Sequence, residues 1–156
     1  MAQPRIDLLN GLSPAEGDAL LSLGSELTSP AGGRLFDLGD TADRLFVLRS
    51  GRVVLSLPIK VQGRDEDVTL EERRPGETIG WSGLIPPHRF TLKAVTPEPS
   101  LVLTLPRTAL FEHFAAHEKV GYVVMRNLAA VIGHRLGLFQ TMWLREIQRL
   151  VELRYP

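Results

Sequence analysis

Between Val120 and Leu153 the chain carries no proline, whereas everything up to Pro106 is broken repeatedly by proline and glycine. A proline inside a helix removes a backbone hydrogen bond and clashes with the preceding turn, at a cost of about 3 kcal/mol. The tail is therefore free to form one long helix, and the body is confined to short elements. Within the tail, Ile132, Leu136, Phe139 and Trp143 step by four, three and four, and after an irregularity at Glu146 and Ile147 the stripe resumes at Leu150 and Leu153. That spacing is a coiled-coil seam. A helix with so much apolar surface requires a partner, and a second copy of itself is the commonest one. Packing of the stripe on the body is the alternative. Arg107 to Ala116 reads as a shorter helix before it.

The body divides into an opening helix and a series of strands. Ser13, Pro14 and Glu16 have the order of an N-cap, a first-turn proline and a capping-box partner, so a helix is expected over Pro14 to Leu27, with Ala19, Leu20, Leu23 and Leu27 at helical spacing. The SPAGGR run from Ser29 to Arg34 ends it, and a first strand begins at Leu35 to Leu38. Gly39-Asp40 marks a turn, Leu45 to Leu48 a strand, Ser50-Gly51 a hairpin turn, and Val53 to Leu57 the returning strand. Pro58 to Asp67 mixes apolar and strongly charged residues, with Gly63 to Asp67 as the exposed loop, a hairpin tip kept in water by its charges. Val68 to Glu72 alternates as a half-buried strand, and Phe90 to Val95 and Ser100 to Leu105 are expected to pair as the last two. Short strands joined by turns at this spacing imply a sandwich or small barrel.

A chain of 156 residues suits one domain. Eighteen basic residues balance eighteen acidic ones, so there is no overall positive field to concentrate the chain on nucleic acid or an anionic membrane. The absence of cysteine excludes disulfides, thiolate metal sites and cysteine nucleophiles. No stretch approaches the roughly 18–20 apolar residues of a membrane span, and the N-terminus has no apolar leader core, so a cytoplasmic location is expected.

One stretch concentrates glycines, paired prolines, aromatics and basic residues: Pro75 to Ala94, PGETIGWSGLIPPHRFTLKA. A turn-rich connection between strands is where binding residues usually collect, which makes it the candidate ligand site. The order of elements, together with LLNGLSPAE at Leu8 to Glu16, LFDLGDTADRLFVLRSGRVVL with Gly39, Asp40 and Gly51 at its turns, and PGETIG with Gly76 and Gly80, resembles the cyclic-nucleotide-binding domain of the catabolite-activator-like regulators. The resemblance implies a jelly-roll-like, eight-stranded double-stranded β-helix flanked by helices, with the last long helix as dimer interface. It also implies that the turn after Gly80 presents backbone amides to a cyclic phosphate, since unpaired amides and a guanidinium favour an anion.

Gly80, Ser82, Gly83 and Leu84 match that cassette. Trp81 stands where the family has an acidic residue for the ribose hydroxyl. His88 aligns with the family's phosphate arginine, Arg89 falls one residue late, and a one-residue slip reverses the face of a side chain. Phe90 replaces a small residue. The ligand-binding candidates are therefore Gly80, Trp81, Ser82, Gly83, Leu84, His88, Arg89, Phe90 and Thr91, with Trp81 and Phe90 positioned to occupy the nucleotide's volume. The expected ligand class is a small anion other than ordinary cyclic AMP or cyclic GMP.

His113 and His117 lie four apart on the shorter helix, but HFAAH lacks the glutamate of the zinc-protease motif and no third ligand is evident. Ser82 has no partnered histidine and no catalytic pair of carboxylates stands out, so no enzyme, metal or cofactor is expected. Few residues follow the seam, and no DNA-reading helix-turn-helix is expected on this chain. Together these readings describe a non-enzymatic regulatory domain: a β-roll over 1–119 and a helical dimer interface over 120–156 carried by Ile132, Leu136, Phe139, Trp143 and Leu150. A conventional cyclic-nucleotide receptor using Arg89, and a ligand-free dimerisation module, are the alternatives.

Overall fold

Along the LFVL run of residues 45–48, Leu45 and Val47 are buried on one face against the helices, and Phe46 and Leu48 on the other against a second sheet. A strand covered on both sides reads as a continuous apolar run rather than an alternating one. The computed structural model describes residues 4–155. After a 3-10 turn at Asp7–Leu9 come α1 (Pro14–Leu21), β1 (Ser25–Ser29), β2 (Gly33–Phe36), β3 (Arg44–Ser50), β4 (Val53–Val61), β5 (Arg64–Arg73) and β6 (Thr78–Ile79). A second 3-10 turn at Trp81–Gly83 leads to β7 (Lys93–Thr96), β8 (Ser100–Pro106), α2 (Arg107–Ala116) and α3 (Glu118–Glu152). The strands form two four-stranded antiparallel sheets, ordered β1-β8-β3-β6 and β2-β7-β4-β5. The expected eight-stranded β-roll with flanking helices is the observed architecture.

Two apolar layers hold it together. Phe36, Phe46, Val53, Leu55, Ile79, Phe90 and Val102 fill the space between the sheets. Leu8, Leu20, Leu45, Leu105, Leu110, Val124 and Leu128 fill the space between the first sheet and the helices. Each such side chain, fully buried, contributes about 1.5–3 kcal/mol. Asn127 of α3 donates to the carbonyls of Leu8 (2.7 Å) and Asn10 (2.8 Å), tying the N-terminal turn to the long helix.

Several expectations are corrected. The capping box forms as read: the Ser13 hydroxyl accepts from the Glu16 amide at 3.2 Å, and the Glu16 carboxylate accepts from the Ser13 amide at 3.0 Å. However, α1 stops at Leu21, and Leu27 belongs to β1, a largely exposed edge strand whose SELTS sequence carries little apolar pattern. The charged run 64–67 is strand, because the turn is confined to Gln62 and Gly63, both with positive φ. Pro58 is accommodated in β4 because β7 pairs only with Val54 to Ser56, leaving that edge open. The last two strands do not pair with each other. β7 joins β2 and β4, whereas β8 joins β1 and β3, since the Pro97-Glu98-Pro99 connection carries the chain from one sheet to the other.

Candidate functional site

Gly80 is left-handed, with φ of 77°, and turns the chain from β6 into the Trp81–Gly83 turn. A Cβ there would lie 2.9 Å from the Phe90 ring and 3.3 Å from Phe46, so both backbone conformation and packing require glycine. Gly83 is required as well, because a side chain would run into the Arg44 carbonyl oxygen. Of the turn's amides, Gly83 donates to the Gly80 carbonyl at 2.9 Å and Leu84 to that of Trp81 at 3.0 Å.

Behind this turn the interior is full. Phe90 is 5% exposed, and its ring stacks on Phe36 with centroids 3.7 Å apart, while Phe46 leans on both. The cavity bounded by Phe36, Leu55, Gly80, Trp81, Ser82, Phe90, Thr91, Leu92 and Arg135 measures about 10 Å³. That is roughly the space one water requires, against the several hundred Å³ of a small-molecule pocket.

Of the residues singled out in the sequence, Gly80, Trp81, Ser82, Phe90 and Thr91 meet around this cavity. Leu84 is buried below it in the helix-facing core. His88, with φ of 57°, sits half-buried with Nδ1 3.1 Å from the Ser82 carbonyl oxygen, bracing the turn. Arg89 is exposed and donates to the Gly39 carbonyl at 3.0 Å, and its backbone bridges to Thr41. The flanking bonds Ala42 N–H to His88 O (2.7 Å) and Phe90 N–H to Asp40 O (3.0 Å) fix that face, so Phe90 points inward and Arg89 does not.

An arginine does reach the cavity, from α3. Arg135 is 8% exposed, donates from Nε to Oε2 of Glu71 at 3.0 Å, and brings one terminal nitrogen into ion-pair contact with the same oxygen at 3.0 Å. Arg73 donates to the same oxygen at 3.1 Å, and its own Nε is buried without a partner. Burial holds the Arg135 guanidinium below its usual range, Glu71 opposes that shift and the nearby Arg73 adds to it.

The sequence signals for this triad were present but masked. A bulge in the β4–β5 ladder pairs Leu55 with Glu71 and Ser56 with Thr69, leaving Leu70 as the extra residue. Simple alternation from Val68 puts Glu71 outside, and the bulge turns it in. Arg135 lies seven residues beyond Leu128, on the buried face of α3 rather than on the 132–136–139–143 stripe. Outside the cavity, Trp81, Thr91, Ile132, Arg135, Leu136 and Phe139 line an open cleft of about 350 Å³ between the turn and α3.

His113 and His117 stack with ring centroids 4.4 Å apart on an exposed face. The seam residues are mostly bare: Leu136 is 57% and Trp143 66% exposed, Leu150 is exposed, and Ile132 and Phe139 are half-buried. Among the described residues, no helix is long and apolar enough to cross a membrane.

The family model for the cyclic nucleotide-binding domain matches residues 26–117. The chain is 31% identical over 129 residues to the cyclic AMP receptor protein of Thermus thermophilus, covering 83% of this chain and 56% of that protein. The crystal structure of the Thermus thermophilus catabolite activator protein superposes with a TM-score of 0.70 at 28% identity, over 94% of this chain and 62% of that one. The N-terminal domain of a transcriptional regulator from Streptomyces coelicolor A3(2) gives 0.71 at 26% identity, over 86% and 92%. The chain thus spans little more than half the length of the receptor protein it matches. Two sheets, flanking helices, the Gly76 and Gly80 turns and a family match over most of the β-roll lead to one conclusion: this chain belongs to the cyclic nucleotide-binding domain family of catabolite-activator-like regulators.

Proposed function

We propose that the chain is a non-enzymatic, homodimeric regulatory domain that keeps the family scaffold but does not bind cyclic AMP or cyclic GMP in the family's usual way. One observation carries this reading: Phe90, stacked on Phe36, fills the space beside Gly80 while Arg89 faces outward. A cyclic phosphate held at the turn would need that volume and an inward guanidinium, and the 10 Å³ cavity offers neither. Trp81 in place of an acidic residue removes the acceptor for a ribose hydroxyl as well. In this reading the nine cassette candidates hold a turn rather than a nucleotide, and ligand contacts in the neighbouring cleft bias the packing of α3 by differential affinity for two arrangements.

The functional division follows the same line, with a β-roll body over 1–119 and a helical output over 120–156 that pairs with a second copy. Support for pairing comes from Leu136, Trp143 and Leu150, exposed and spaced by seven on one helix. Calorimetry with a broad panel of metabolites and nucleotides tests the sensor. The reading predicts a specific ligand outside the cyclic nucleotides. No binding at millimolar concentration by any of them leaves a ligand-free dimerisation module, and micromolar cyclic AMP binding lost in Arg89→Ala restores the conventional receptor.

A further inference from the structure

The connection from the first 3-10 turn to α1 is a type II turn at Leu9-Asn10-Gly11-Leu12. Asn10 has φ of −60° and ψ of 119°, Gly11 has φ of 93°, and the Leu12 amide closes the turn on the Leu9 carbonyl at 3.0 Å. The left-handed position requires glycine, and a Cβ on Gly11 would also lie 3.1 Å from the Arg126 guanidinium. The fold thereby keeps an Asn-Gly pair, a sequence prone to closing a five-membered ring because glycine has no side chain to hinder its own amide nitrogen. Both residues are exposed, and the Gly11 amide donates to no described residue. Arg5 donates to Oδ1 of Asn10 and so draws electron density from Cγ.

The backbone is what holds this pair unreactive. Ring closure requires the Gly11 nitrogen to lie against the Asn10 side chain at attacking distance, and at ψ of 119° it is turned about a third of a revolution away around the Cα–C bond. The carbonyl of the same peptide group is held from α3. Asn127, 9% exposed, donates through Nδ2 to Asn10 O at 2.8 Å and to Leu8 O at 2.7 Å. Rotation into the attacking geometry breaks the turn and carries Asn10 O off Asn127. A docked α3 and a reactive Asn10 therefore exclude each other.

We propose that Asn10-Gly11 is a self-modification site whose rate is set by undocking of α3, with Asn127 as the gate. Once the anchor opens, solvent hydroxide takes the Gly11 amide proton and the nitrogen bonds to Asn10 Cγ. The Cγ–Nδ2 bond breaks, and Nδ2 leaves as ammonia with a proton from water. Water then opens the ring: breaking the new bond to Cγ gives aspartate, and breaking the bond to the Asn10 main-chain carbonyl carbon gives isoaspartate. Either product adds a carboxylate to a pocket of about 300 Å³ that Asn10 lines together with Asp7, Glu77 and Asn127. Isoaspartate also lengthens the backbone by one carbon beside the anchor. Like-charge repulsion and a displaced carbonyl both weaken the hold on α3, so conversion is an irreversible step that favours the undocked helix.

The test is incubation of the full chain at mildly alkaline pH, followed by peptide mapping for a mass gain of about one dalton at Asn10, with Asn127, which precedes Leu128, as internal control. The native chain is expected to convert at least about tenfold more slowly than the chain unfolded in urea, since reaction waits on the opened fraction. Asn127→Ala is expected to convert faster than Leu110→Ala, a core deletion outside the anchor, with the two variants brought to equal stability by urea. No conversion in the unfolded chain overturns the site. A native rate equal to the unfolded one, or Asn127→Ala no faster than its matched control, overturns the gate. The coupling is also read without a variant: converted wild-type chain, separated by ion exchange, is expected to exchange the amide hydrogens in the first half of α3 faster than unconverted chain, and equal exchange overturns it.

Discussion

The two halves of α3 have the same apolar periodicity and opposite surroundings. Up to Arg135 the helix buries Val120, Val124 and Leu128 in the core, and Asn127 anchors it to the N-terminal turn. Beyond Arg135 none of its residues is buried, although Leu136, Trp143 and Leu150 continue the stripe at intervals of seven. At about 1.5 Å per residue, the 35-residue helix outruns the β-roll it packs on. The difference teaches that the partner of the stripe changes along the helix. The first half is covered within the chain, the second half is left bare by it, and Arg135 sits at the changeover beside the cleft.

That contrast breaks most severely at the changeover itself. Glu71→Ala leaves Arg73 and Arg135 buried without their carboxylate, and a loss of about 3–5 kcal/mol in urea unfolding is expected. Leu128→Ala in the first half removes a fully buried side chain, and a loss of about 2–5 kcal/mol is expected with no change in sedimentation behaviour beyond that of general destabilisation. Trp143→Ala in the second half reverses the pattern. Unfolding of the dilute monomer should shift by less than about 0.5 kcal/mol, while concentration-dependent association in sedimentation velocity is lost. Association that persists in Trp143→Ala combined with Leu150→Ala removes the second half from the interface. A comparably small effect, within about 0.5 kcal/mol in unfolding, is expected at Arg89→Ala, whose bond to the Gly39 carbonyl is exposed.

Local chemistry was legible wherever a residue acts on its own neighbours. Ser13 and Glu16 announce their capping box, Gly51 and Gly76 their turns, and Arg107 to Ala116 its helix. Phe90 as the filler of the space beside Gly80 could be read as well, since a one-residue offset from Arg89 fixes which of the two faces inward. What sequence alone did not reveal depends on distant pairing. Glu71 faces inward only because the β4–β5 bulge displaces Leu70, and the alternation within β5 does not announce a bulge. Arg135 reads as an ordinary surface arginine until Glu71 is known to lie opposite it. Ser25 to Leu27 of β1 read locally as the end of α1, because pairing with β8, 79 residues away at Ser25 and Thr104, leaves no local signal.

The central claim is that the family scaffold survives here with its nucleotide pocket closed. The most direct test is a thermal-shift titration of the chain with cyclic AMP and cyclic GMP, because a ligand specific to the folded state raises apparent stability by mass action. The account predicts no saturable shift up to millimolar concentration with either nucleotide. A saturable upward shift at micromolar concentration, abolished by Arg89→Ala, would contradict it and make Phe90 a movable gate rather than a filled core.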